Sequence, residues 1–233
     1  MTIFYTLLYQ PLFNALVLLY EWIPGHNFGI AIIALTLIVD ALLAPLGIEG
    51  LKSQKALQRI QPKLEKIQKK YKDNKEKQME AIMKLYREEE VNPFSGLFLL
   101  LIQLPIFFAI YRVFWRGITP ESLSALYTFI PHPGSVNTSF LSINLMNSSV
   151  FLAILAGLLQ FIQIKMTMPE EGSQKSKKKN DFSAMFSSQM LYITPAFITI
   201  ILLKLPSALG LYLIVNSLFM IIEQYFILKK IKI

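Results

Sequence analysis

Five runs of about twenty residues, 28–48, 94–115, 148–166, 185–203 and 206–228, are almost wholly apolar. Each has the length an α-helix needs to cross a bilayer core of ~30 Å. The pattern predicts an all-α integral membrane protein, a five-helix bundle. Asn92 is suited to cap the second run and Pro93 to open it. Only Lys204 and Leu205 separate the last two runs, so those helices must be antiparallel neighbours.

Two further patterns flank the first run. Residues 3–23 are apolar but broken by Gln10, Pro11, Asn14 and Glu21, with Tyr5, Tyr9, Tyr20 and Trp22 suited to a membrane interface. Residues 1–27 therefore read as an interfacial amphipathic segment, the rival being a sixth span, and residues 28–233 as the five-span core. Residues 49–91 are rich in Lys, Glu and Gln, which are good helix formers. Leu57, Ile60, Leu64, Ile67 and Tyr71 are spaced like a coiled-coil seam. Lys72–Lys75 interrupts it, and Met79, Ile82, Met83 and Tyr86 resume it. A helical hairpin follows, its first arm bent at Pro62. Residues 117–147, with Pro120, Pro131, Pro133 and Gly134, read as a loop. Residues 167–184 form a second, shorter polar loop.

Composition agrees with burial in lipid: 54% of residues are hydrophobic and 16% charged, against about 25% charged in soluble domains. Charge placement sets the topology. Residues 49–91 hold twelve Lys and Arg, residues 164–184 hold five, and the tail after Leu228 holds three, of 23 in all. Cytoplasmic loops are enriched in Lys and Arg. The hairpin and the 167–184 loop are thus cytoplasmic, the N-terminus outside and the C-terminus inside. The first basic residue is Lys52, so the N-terminus lacks the basic region of a cleaved signal. It is either a mature start or a segment translocated without cleavage.

The absence of cysteine excludes disulfides, thiolate metal sites and a thiol nucleophile. His26 and His132 sit beside Gly or Pro in loops, with no spacing suited to a metal. No phosphate-binding glycine loop or nucleophile–base pair is present. The chain does not read as an enzyme, and no cofactor or DNA partner is expected. The informative residues are the polar ones within the spans. Thr36 and Asp40 share a face of the first, and Gln103 lies in the second. Gln160 and Gln163 lie in the third, Tyr192 and Thr199 in the fourth, and Tyr212, Asn216 and Glu223 in the fifth. Singly, each amide is helix–helix glue; together, such faces suit a hydrated cavity. Asp40 stands out. It lies roughly 16 Å into its span at 1.5 Å per residue, where a carboxylate costs about 2.5–3.5 kcal/mol.

In order along the chain, several stretches resemble the YidC/Oxa/Alb insertase family. These are Tyr9-Gln10-Pro11-Leu12-Phe13-Asn14, Gly29–Ile33 with Leu35-Thr36, and Gln61-Pro62-Lys63-Leu64. The most specific is Val91-Asn92-Pro93 followed by Gln103-Leu104-Pro105-Ile106-Phe107. The last is Leu205-Pro206 with Gly210-Leu211-Tyr212, Asn216 and Gln224. The resemblance, to a short bacterial-type member, covers nearly the whole chain. It implies a bacterial plasma (inner) membrane protein that passes the polar tails of nascent membrane proteins through a hydrophilic groove, without nucleotide. Thr36, Asp40, Gln103, Gln160, Gln163, Tyr192, Thr199, Tyr212 and Asn216 would contact the client. The ribosome, the Sec translocon and anionic lipids are the implied further partners. Three departures stand out. Asp40 occupies the place of the family's usual arginine, Leu213 follows Tyr212 where tryptophan is common, and the basic tail is short. Two rival functions remain at this level: a small transporter with Asp40 as ion or proton site, and a membrane anchor whose hairpin recruits a cytosolic partner.

Overall fold

The computed structural model describes residues 2–92, 95–116, 120–134, 136–168 and 182–231. The chain forms two compact units: residues 1–42 with 104–233, and residues 43–103.

The N-terminal segment is helical: α1 (Thr2–Phe4), a π-helical turn (Tyr5–Tyr9) and α2 (Gln10–Trp22). Pro11 accounts for the turn. It has no N–H to donate, and its ring crowds the carbonyl four residues back. The chain widens, and Gln10 donates its backbone N–H to the Tyr5 carbonyl oxygen, five residues back. Tyr9, Phe13, Leu16, Val17 and Tyr20 form the fully buried face of this segment. The expected interfacial segment therefore shares the core of the larger unit. The polar residues that interrupt it are structural. Asn14 donates to the Gln10 and Ala125 carbonyl oxygens at 2.7 and 2.9 Å and accepts from the Tyr127 N–H at 2.6 Å. Gln10 also donates to the Ala125 carbonyl oxygen. Together they hold the loop at Ala125 and Tyr127.

Three long helices are apolar enough to span a membrane: the first part of α3 (Phe28–Lys70), α7 (Val150–Thr167) and α9 (Ser207–Ile231). Shorter apolar stretches, Leu104–Trp115 of α5 (Ser95–Arg116) and Leu191–Leu202 of α8 (Phe182–Leu202), accompany them. Their outward faces are apolar, with Ile38, Leu42, Leu158, Phe197, Ile222 and Phe226 all exposed. Such a surface suits lipid. The chain is an all-α membrane protein.

Between these helices, small residues set the approach, as is usual where lipid removes the hydrophobic drive for association. α7 packs along both α8 and α9. A Cβ on Gly157 would lie 2.0 Å from the Thr199 hydroxyl oxygen, so glycine lets α8 approach there with Thr199 in place. Ala153 and Ala156 on α7 and Ala208 on α9 are buried.

The segment between α5 and α7 closes one end of the helices. It contains α6 (Pro120–Leu123) and a short hairpin of β1 (Ser139–Phe140) and β2 (Ile143–Asn144). Leu141 and Ser142 both take positive φ, 47° and 65°, as a two-residue hairpin turn requires. Phe140 covers the start of α3 at Gly29, where a Cβ would come within 2.3 Å of its ring. The first N–H groups of α9, which have no partner inside the helix, are met by this segment. Ser207 donates to the Asn147 carbonyl oxygen at 2.8 Å and Ala208 to that of Leu145 at 2.9 Å.

In the smaller unit, the second part of α3 packs on α4 (Lys75–Glu88). Asn74 caps α4 by accepting from the Lys77 N–H at 3.0 Å. The seam differs in part from the predicted one. Ile60 is buried against Leu85 and Val91, with Leu57, Leu64, Ile67 and Tyr86 beside them, whereas Met79 and Met83 are exposed. Leu85 and Tyr86 take the packed face, so the two methionines turn outward. Glu89 locks the arms, accepting from both Lys63 and Arg59. The Lys63 hydrogen bond holds the Glu89 carboxyl below its ordinary range, and the charges of Lys63 and Arg59 add to this. Pro62 lies within α3. Most of the 167–184 loop lies outside the described residues.

Candidate functional site

Four polar residues of the membrane helices lie on α3 and α9, which a side-chain hydrogen bond joins. Thr36 and Asp40 lie one turn apart on α3, hence on one face. Asn216 and Glu223 lie seven residues apart on α9, two turns along one face. Asn216 donates its side-chain amide to Asp40 Oδ1 at 2.8 Å. Asp40 is only 2% exposed, and its Oδ2 is buried with no hydrogen-bond partner. Both carboxyl oxygens of Glu223 and the side-chain carbonyl oxygen of Gln224 are likewise buried and unpartnered.

Among the described residues, no Lys, Arg or His forms an ion pair with Asp40 or Glu223. Arg112 of α5 is engaged elsewhere, its guanidinium 5.4 Å from the centroid of the Tyr9 ring. Nor do the described residues contain a cluster of three potential metal ligands. What the arrangement offers is a row of acceptor oxygens inside a membrane protein, one of them met by the Asn216 amide.

The other predicted residues occupy varied positions. Thr36 is buried and its hydroxyl donates to the Ile32 carbonyl oxygen at 2.7 Å, so its hydrogen bond stays within its own helix. Tyr212 is buried one turn before Asn216. Gln160 and Gln163 are half-buried on α7, and the Gln160 side-chain carbonyl oxygen has no partner. Thr199 faces Gly157 across the α7–α8 contact and donates to the Pro195 carbonyl oxygen at 2.9 Å. Tyr192 is 64% exposed, its ring tilted against Phe161. The Gln103 side chain lies outside the described residues. Glu223 and Gln224 join the polar row without having been among the predicted client contacts. The seven-residue spacing of Asn216 and Glu223, two turns of helix, is the sequence signal that could have paired them.

Similarity to known proteins agrees with this architecture. Residues 18–233 match the model of the family described as 60Kd inner membrane protein. The membrane protein insertase YidC of Fusobacterium nucleatum is 35% identical over 204 residues, 88% of this chain and 87% of that protein. The membrane protein insertase YidC of Oceanobacillus iheyensis is 37% identical over 210 residues, 88% and 76% of the two chains. A crystal structure of an active YidC insertase with its first transmembrane domain resolved superposes with a TM-score of 0.56 at 30% identity. That match covers 90% of this chain but 44% of the other, and the YidC of Syntrophobacter fumaroxidans is matched over 38% of its length. Some relatives are therefore much longer than the segment they share with this chain. On these grounds the chain belongs to the 60Kd inner membrane protein family, that of the YidC membrane protein insertases.

Proposed function

We propose that this chain is a membrane protein insertase of the bacterial plasma membrane, and that the polar row between α3 and α9 lies in the path of its clients. The observation that carries the site assignment is the hydrogen bond from Asn216 to Asp40, a buried polar contact between two membrane helices. Family membership supports the activity. A polar client tail entering lipid alone would leave its hydrogen-bonding groups unmet, at several kcal/mol per group. Acceptors and water along α3 and α9 would lower that cost. Burial of the client's apolar segment in lipid, worth about 25 cal/mol per Å² of apolar surface, would drive the step without nucleotide. The reading carries no chemical step, so the protein is not an enzyme in this account.

In this reading the hairpin and the 167–184 loop face the cytoplasm, the N-terminus lies outside and five helices span the bilayer. Nascent membrane proteins are the clients. The basic hairpin would meet anionic lipid headgroups or the ribosome, and the Sec translocon is a further candidate partner. Depletion of the chain in its native cell tests the function. Small membrane proteins should then fail to insert while soluble proteins accumulate normally; unimpaired insertion of every small membrane protein would refute it. The acidic pair would also suit a cation-coupled transporter. Cation uptake by the purified protein in liposomes would favour that reading.

A further inference from the structure

We infer that Asp40, held by Asn216, and Glu223, two turns further along the same face of α9, favour a cationic group of the client, a lysine or arginine side chain or a free amino terminus. The inference rests on the insertase reading and names the client chemistry the site favours. Three carboxyl oxygens, Asp40 Oδ2 and both of Glu223, are buried without a partner, and the Gln224 side-chain oxygen is a fourth acceptor in the same state. The Asn216 amide donates to Asp40 Oδ1.

The complement of such a site is a group with donors and no acceptors. Ammonium and guanidinium groups fit that description, with three and five N–H donors. A carboxylate tail, which only accepts when ionised, would meet like charge. Buried carboxylates without a counter-charge are also costly to keep, and a cation beside them relieves that cost. Desolvation strengthens the attraction, because effective dielectric falls with burial. A divalent metal is a poorer occupant. Calcium takes six to eight oxygens and magnesium holds on to its water shell, and no cluster of three potential metal ligands occurs among the described residues. Asp40 is 2% exposed, so bulk cations have little direct access to it. A client side chain brought in with its own segment does.

The test is reconstituted insertion of one single-span client in three forms, differing only in whether the middle residue of its translocated tail is Lys, Gln or Glu. The full-length chain is placed in liposomes without a membrane potential, and protection of the tail from protease is measured. The Lys form should insert at least about fivefold faster than the Glu form. In the Asp40→Asn/Glu223→Gln variant that ratio should fall to about one, and in Asp40→Arg it should invert. The ratio is independent of how much variant protein folds. A measurement on the unaltered protein supplements it. A membrane-permeant carbodiimide should join the tail Lys to Asp40 or Glu223 as an amide, identified by mass spectrometry of the linked peptide. Equal rates for the Lys and Glu forms, with the Gln form inserting normally, would overturn the acceptor site and leave the insertase reading standing. Failure of all three forms to insert would overturn both.

Discussion

Asn216 holds Asp40 across 176 positions of sequence, its amide 2.8 Å from the carboxylate, and so ties the first membrane helix to the last. Removing the amide leaves a buried carboxylate oxygen without the donor that Asn216 supplies. Loss of a buried partner costs about 1–3 kcal/mol. Asn216→Leu should therefore lower the thermal midpoint of the purified protein. Asp40→Leu/Asn216→Leu, in which both partners are gone, should recover part of that loss. An unchanged midpoint in Asn216→Leu would show that the bond adds nothing to stability.

Helix spacing gives a second prediction. A Cβ on Gly157 would sit 2.0 Å from the Thr199 hydroxyl oxygen. Overpacking of this kind costs about 1–3 kcal/mol. Gly157→Ala should destabilise the protein, and Thr199→Ala in the same chain should restore part of the loss by removing the obstructing atom. The readout is a double-mutant cycle on thermal midpoints; strict additivity would place the two residues out of contact.

The patterns that were legible from the chain were those set by local rules. Apolar runs and the Lys-rich segment identify the helices and the hairpin because lipid exposure and helix period act residue by residue. Asp40 was visible as a lone charge in its run. Its partner was not, because a side-chain bond between two helices depends on their rotation and depth. Gln10 and Asn14 looked like the polar face of an interfacial helix, yet they bind the backbone of residues 125 and 127. Nothing in the local pattern separates those roles. In the hairpin, Met79 and Met83 fit the heptad as well as Leu85 does. The pairing with Ile60 and Val91 settles which face packs.

Acidification should open the hairpin. The Glu89 carboxyl is held below its ordinary range by the Lys63 hydrogen bond. Its contribution is therefore complete above the unfolded carboxylate pKa of ~4.3 and is lost as pH falls through the lower folded value. Spin labels at Lys66 and Glu80, one on each arm, should give a narrow distance distribution at neutral pH that broadens on strong acidification. Glu89→Gln should be broad already at neutral pH. A distribution unaffected by either change would remove the clamp from the account.

Topology follows from the placement of the basic residues. A cysteine at Ser53 should react with a membrane-impermeant reagent only from the cytoplasmic side, and one at Ser135 only from outside. Labelling of both from the same side would break the five-span arrangement.

The central claim is that this chain, unaided by nucleotide, moves a client's polar tail across a bilayer. Its most direct test uses the purified protein in liposomes of otherwise protein-free anionic lipid. A freshly synthesised single-span client with a short neutral tail is added, and protease protection of that tail is followed. The account predicts protection that rises with the amount of the chain in the membrane and persists without ATP or GTP. Equal protection in liposomes with and without the chain would contradict it.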